Sequence, residues 1–242
     1  MSSSSNSVPQ RLLPMEPPSY HQPGNLPTGL PAAGLPWPEP IIVLPNLTIR
    51  PYHTTDGASL FRHANNPRIA RNMPNTFAHP YTPIAASAFI ARALAATRSH
   101  VKIWCISLTS ASNAECIGGC TLEAGPDVFS RNAEIGFWIG EEFWGQGLGT
   151  VVCRALTNYA FSLMVEGQPV LQRVGAGVYG GTARHPVTAG KVLRKCGFRE
   201  EGRMRGMIWK CGEVRDLEIY GLTRGEWEGM KRSVQQSDSM EM

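Results

Sequence analysis

The sequence predicts an α/β (α+β) fold built on a mixed sheet, and three observations lead there. Apolar periodicity gives the element order β-α-α-β-β-β-α-β-α-β-β. Its first half is helices followed by three consecutive strands, which read as a meander. Its middle is a strand–helix–strand crossover, the connection that joins parallel strands. The residues carrying this pattern form one block of about 185, Asn46 to Met230, large enough for a single buried core.

Eleven of the nineteen prolines fall in the first 45 positions, where Pro, Gly and Ser together make 20 residues, too little apolar surface to offset the entropy of ordering. Residues 1–45 are therefore expected to form a disordered arm, 46–230 the domain and 231–242 a polar tail. The arm lacks the apolar run of a signal peptide and the arginines of a transit peptide. No stretch of about 18 apolar residues offers a membrane span, so a cytoplasmic protein with no membrane partner is expected. The core carries 20 Lys and Arg against 15 Asp and Glu, without the basic run of a nucleic-acid arm. Six cysteines without a CxxC read as core thiols. Cys116 and Cys120 are spaced like metal ligands, but no partner pair follows, and no metal is expected.

Leu47–Arg50 alternates before Pro51 and reads as an opening strand. Thr55 or Asp56 then caps a helix burying Leu60, Phe61 and Ala64. Thr82 caps a second, with Pro83 where its missing N–H costs nothing, running to about Ala96. Strands follow at Lys102–Leu108, Cys116–Leu122 and Ala133–Ile139. The longest helix, Leu148 to Met164, repeats apolar residues in one broad stripe: Val151, Val152, Ala155, Leu156, Tyr159, Ala160, Leu163. Val170–Tyr179 reads as a strand, and Pro186–Lys195 as a helix closed by Gly197. Arg203–Trp209 and Val214–Leu222 form a hairpin around Cys211-Gly212-Glu213.

The chemistry centres on one turn. The strand ending Ile139-Gly140 leads through Glu141-Glu142-Phe143-Trp144 to glycines at 145, 147 and 149, and then to the longest helix. Closely spaced glycines let a ligand approach the backbone. The helix start points unpaired N–H groups and the positive dipole end at that space, where a phosphate fits. No lysine follows as in a P-loop, and the GxGxG spacing is not the GxGxxG of a dinucleotide fold. A turn that merely reverses the chain is the alternative.

Trp144-Gly145-Gln146-Gly147-Leu148-Gly149 resembles the [Q/R]xxGx[G/A] phosphate loop of the GNAT family of acyl-CoA N-acyltransferases, except at its first place. Around it, Arg50-Pro51, His79-Pro80-Tyr81-Thr82-Pro83, Ala133–Trp138, Phe143–Gly147, Lys195-Cys196-Gly197-Phe198 with Gly202, and Asp216 with Tyr220 occur in the order seen in one branch. That branch is the RimJ/RimL-like one, which acetylates ribosomal-protein N-termini; the similarity spans Leu47 to Trp227. The resemblance implies a seven-stranded mixed sheet, splayed between its fourth and fifth strands and flanked by about four helices. It implies acetyl-CoA as co-substrate in the split. Backbone at Trp138 and Ile139 would pair with the pantetheine arm, and the amides of Gly145, Gln146, Gly147, Leu148, Gly149 and Thr150 would hold the pyrophosphate. It also implies acetyl transfer to a primary amine, a small amine or a peptide N-terminus.

Such a transfer needs a neutral amine and a proton for the departing thiolate. Glu134 is the candidate base, with a structural role across the sheet as its alternative; Glu123 is the second choice, and Glu141 and Glu142 read as a solvated turn. Tyr179 is a candidate proton donor, with packing as its alternative. Lys191 is the basic residue best placed for the CoA 3′-phosphate. Pro186, Ala189 and Leu193 stand where the family carries Asn, Ser and often a proton-donating Tyr; His185 is a substitute polar contact. These departures favour a second reading, an acyl-CoA-binding module with weak or no turnover that senses or scaffolds.

Overall fold

The computed structural model describes residues 37–96, 100–109, 115–180 and 188–240. Strands β1 (Ile42–Val43) and β2 (Leu47–Arg50) lead into α1 (Gly57–Ala64), α2 (Pro67–Ala70) and α3 (Pro83–Ala95). The meander β3 (Val101–Leu108), β4 (Cys116–Ala124) and β5 (Asn132–Ile139) follows, then α4 (Leu148–Ser162). After a small hairpin, β6 (Met164–Val165) and β7 (Gln168–Pro169), come β8 (Arg173–Tyr179), α5 (Ala189–Lys195), β9 (Arg199–Lys210), β10 (Glu213–Thr223) and α6 (Arg224–Met240). One sheet runs β1-β2-β3-β4-β5-β8-β10-β9, antiparallel except for β5 beside β8.

The sheet is mixed, as expected, with eight strands where seven were implied. The addition is β1, in which Ile42 and Val43 pair with Ile49 and Thr48. Trp37, just ahead of it, lies 4.5 Å from the His53 ring and 4.7 Å from the Arg50 guanidinium. The segment 37–45, expected to belong to the arm, thus joins the sheet, because its apolar Ile-Ile-Val-Leu run has an edge to pair with. Helix α6 is the other addition. Thr223 and Glu226 cap it reciprocally: Thr223 N–H donates to Glu226 Oε2 at 3.0 Å, and Glu226 N–H to Thr223 Oγ1 at 3.4 Å. The expected tail from Lys231 continues this helix to Met240.

Alternation sorts two cores onto opposite faces. Trp104 and Ile106 of β3 and Ile135 and Ile139 of β5 join Val152, Leu156 and Phe161 of α4. Ile103 and Cys105 pack instead with Leu60 of α1 and Ile90 of α3. Cys120 lies in the first core and Cys116 in the second. Helix α3 starts as its sequence predicts, with Thr82 Oγ1 accepting from Ala85 N–H at 3.1 Å ahead of Pro83. Asp56 holds the N-cap position of α1, as expected, but without a side-chain cap bond; His53 caps the 3-10 turn Thr54–Asp56 just before it, and Asp56 Oδ2 accepts from the His53 N–H at 2.7 Å.

That same Asp56 carboxylate receives both terminal nitrogens of Arg50 at 2.8 Å, and both side chains are buried. The pair ties the end of β2 to the start of α1. Removing one member leaves the other charge inside a low-dielectric site. Asp56→Ala is expected to destabilise the fold by about 3–5 kcal/mol in denaturant unfolding; a loss below about 1 kcal/mol, the range of an exposed pair, would show the pair to be dispensable.

Candidate active site

Parallel pairing between β5 and β8 lasts three residues: Asn132 with Arg173, Ala133 with Val174, Glu134 with Gly175. Beyond it, β5 stays with β4 and β8 stays with β10, so two strand edges part inside one sheet. Gly140 N–H donates toward β4, to Ile117 O at 2.8 Å. Alternation then turns the amide groups of Ile135, Phe137 and Ile139 into the split. Of the two strand positions given to cofactor contact, Ile139 faces the split. Trp138 is in register with Gly119 on β4, and its indole is buried 5.7 Å from the Phe77 ring. Ile135 and Phe137 were missed because strand parity depends on register with β4, which residue types do not encode.

The turn after β5 is exposed, as expected, but its carboxylates are anchored. Glu141 pairs with Arg68 and accepts from Asn66 Nδ2 at 2.6 Å, while Glu142 Oε1 lies 3.0 Å from Nδ1 of buried His63. The other His63 nitrogen is 3.0 Å from Glu115 Oε1. Gly140 permits this approach, since a Cβ there would lie 3.0 Å from His63 Nδ1. Trp144 then donates from Nε1 to Ile139 O at 2.7 Å, with the Arg68 guanidinium 5.1 Å from its ring. The end of β5 is thereby strapped to the α1–α2 corner.

From that anchored turn the chain enters α4 through Gly145 and Gly147, whose φ of +76° and +78° are in the left-handed region that favours glycine. A Cβ at either would meet nothing within 4 Å, so the space above them is open. No side chain caps α4. Thr150 N–H returns to Gly147 O at 3.0 Å, so Thr150, grouped with the phosphate-holding amides, spends its amide inside the helix. The first-turn amides before it, of Leu148 and Gly149, have no partner within the helix and lie at the positive end of its dipole. Gln146 Nε2 donates to Glu142 O at 3.2 Å, which closes the loop on itself. Val192 of α5 would lie 3.8 Å from a Cβ at Gly149, so α5 packs against the first turn of α4; Lys191 of the same helix is exposed.

Glu134 is the last residue of β5 in parallel register with β8, at the apex of the split. Its Oε1 accepts from Gly177 N–H at 3.2 Å, so the carboxylate reaches across to β8. Tyr179, two residues on, lies on the same face and is half-buried. Burial first, and then the Glu134 charge, hold its phenol above the ordinary value, so it stays protonated. Leu193 is buried in the apolar core and offers no proton. Ala189 is exposed at the start of α5; Pro186 and His185 lie outside the described residues.

Tyr179 is expected to ionise above the ordinary phenol value of about 10, and Glu134→Gln is expected to bring it down. Ultraviolet difference titration against Tyr179→Phe measures this. An unmoved Tyr179 would separate the two groups.

A family model described as "Acetyltransferase (GNAT) domain" matches residues 46–199. "Putative ribosomal N-acetyltransferase YdaF" of Bacillus subtilis (strain 168) is 38% identical over 105 residues, 43% of this chain and 52% of that protein. The chain thus covers about half of that curated relative's length. A crystal structure of a "Probable acetyltransferase" is 26% identical, covers 76% of this chain and 96% of its own, and superposes with a TM-score of 0.61. "Mycobacterium smegmatis RimJ in complex with CoA-disulfide" shares the fold at 23% identity and a TM-score of 0.61, covering 74% of this chain and 83% of that one.

Proposed function

The chain belongs to the GNAT acetyltransferase family, and from that premise we propose that it is an acetyl-CoA-dependent N-acetyltransferase whose acceptor is a primary amine, the amino terminus of a protein. The observation that carries this is the strand split, which runs from the uncapped start of α4 to the Glu134 carboxylate. The acetyltransferase names of the relatives support it.

The residues divide the work along the split. The amides of Gly145, Gln146, Gly147, Leu148 and Gly149, with the α4 dipole, hold the pyrophosphate. Lys191 meets the 3′-phosphate. The edge of β5, at Ile135 and Phe137 and at the Ile139 N–H, whose carbonyl is taken by Trp144 Nε1, accepts the pantetheine arm as an added strand. Acetyl-CoA supplies the activated thioester carbonyl. Glu134, open at the apex, takes the ammonium proton directly or through a water, and Tyr179, kept protonated, returns one to the thiolate sulfur. No residue crowds the space above Gly145 and Gly147, as a close-fitting anion requires.

One observation favours a second reading, a module that binds acyl-CoA with little turnover: Leu193 is buried where the family often has its proton donor. Calorimetric titration with acetyl-CoA, followed by thiol release with peptides bearing free or blocked N-termini, separates the two. Absence of acetyl-CoA binding overturns both. Binding without release on any amine favours the second.

Gly147→Glu is expected to abolish that binding, since a carboxylate on a strained backbone fills the turn and repels phosphate; calorimetry showing unchanged affinity would remove the loop from the site. Glu134→Gln is expected to lower kcat by about 10²–10⁴-fold with acetyl-CoA affinity kept. A kcat within twofold of wild type in steady-state assays would assign Glu134 to strand bridging alone.

A further inference from the structure

Glu123 of β4 stands directly opposite Glu134 of β5, on the sheet face that carries Gly177 and Tyr179. Like charges directly opposed across two strands weaken a sheet, with Cβ atoms only about 5 Å apart. Among the described residues neither carboxylate has a cationic partner, although arginines satisfy Glu141, Glu201 and Glu218 elsewhere in the fold. Both carboxylates line one cavity of about 240 Å³. Phe129 is part of its lining, folded back over Gly125, where an added Cβ would lie 2.7 Å from Phe129 Cβ. The Phe129 ring is largely exposed, and Asn132, also part of the lining, is held by Arg173 Nη1 at 3.0 Å.

Glu134 alone answers the reacting amine. With Glu134 taken as the base, Glu123, the second candidate for that role, is left in the same depression with no cationic partner among the described residues. We propose that this cavity is an acceptor subsite for a second positive charge, and that Glu123 selects acceptors that carry one. The reacting amine lies at Glu134; an ammonium or guanidinium a few atoms away lies against Glu123, beside the Phe129 ring. That charge comes from the far amine of a diamine, or from a basic side chain next to a peptide N-terminus. The proposal rests on reading the apex of the split as the place of the reacting amine.

The test measures kcat/KM at saturating acetyl-CoA for matched pairs: 1,4-diaminobutane against 1-aminobutane, and the peptide Ala-Lys-Ala against Ala-Gln-Ala. Wild type is expected to prefer the dication in at least one pair, and that pair identifies the source. Glu123→Gln is expected to cut the preference by about tenfold or more, the worth of a charged hydrogen bond. The loss falls in KM, with KM for acetyl-CoA kept and Glu123→Asp restoring part of the preference. Equal use of both members in both pairs, or an unchanged preference in Glu123→Gln, overturns the subsite. If no acceptor turns over, calorimetric binding of the same four compounds to the CoA-bound protein reads the same preference, and its absence in wild type overturns the proposal equally. A full kcat in Glu134→Gln, with the preference still lost in Glu123→Gln, would remove the base and leave the subsite standing.

Discussion

Three residue pairs hold β5 to β8, and everything beyond them depends on the two strands then parting. Peptide groups inside a sheet do not go unpaired at no cost. The split therefore has to be held open by the rest of the molecule and filled by something that hydrogen-bonds. Both sides are held. Glu141 and Glu142 strap the end of β5 to α2 and α1, and seven register pairs, Leu217–Tyr179 to Thr223–Arg173, hold β8 to β10. At the apex, Gly177 lets a side chain cross between the strands: a Cβ there would stand 3.3 Å from Glu134 Oε1.

The two faces of the sheet divide along this opening. On one, α4 packs its apolar stripe onto β3 and β5, so its first turn lies fixed at the outer end of the split. On the other, α1 and α3 cover the β2–β4 side, joined to β2 by the buried Arg50–Asp56 pair, and leave the apex to Glu134, Tyr179 and Glu123. The glycine turn into α4 and the carboxylates Glu134 and Glu123 thus stand at the two ends of the open length of β5, the polarity that the proposed anionic cofactor and cationic acceptor require.

Much of this was legible in the residues. The glycine pattern between a strand and an amphipathic helix marked the turn, Thr82-Pro83 marked the start of α3, and the crossover marked the parallel pair. What escaped was set by tertiary partners. The anchoring of Glu141 and Glu142 escaped because Asn66, Arg68 and His63, which bind them, lie over 70 positions earlier. Which residues of β5 turn their amides into the split escaped because register with β4, not residue type, decides it. β1 was absorbed into the arm because proline density outweighed four apolar residues. The capping pair Thr223 and Glu226 was a readable signal for α6 that was overlooked.

The most direct test is a crystal structure of the protein with CoA bound. Pyrophosphate oxygens within about 3 Å of the amides between Gly145 and Gly149, with the pantetheine arm paired to Ile135, Phe137 or Ile139 and the sulfur directed toward Glu134 and Tyr179, is the expected result. CoA bound elsewhere, with β5 and β8 zipped together past Glu134, would contradict it.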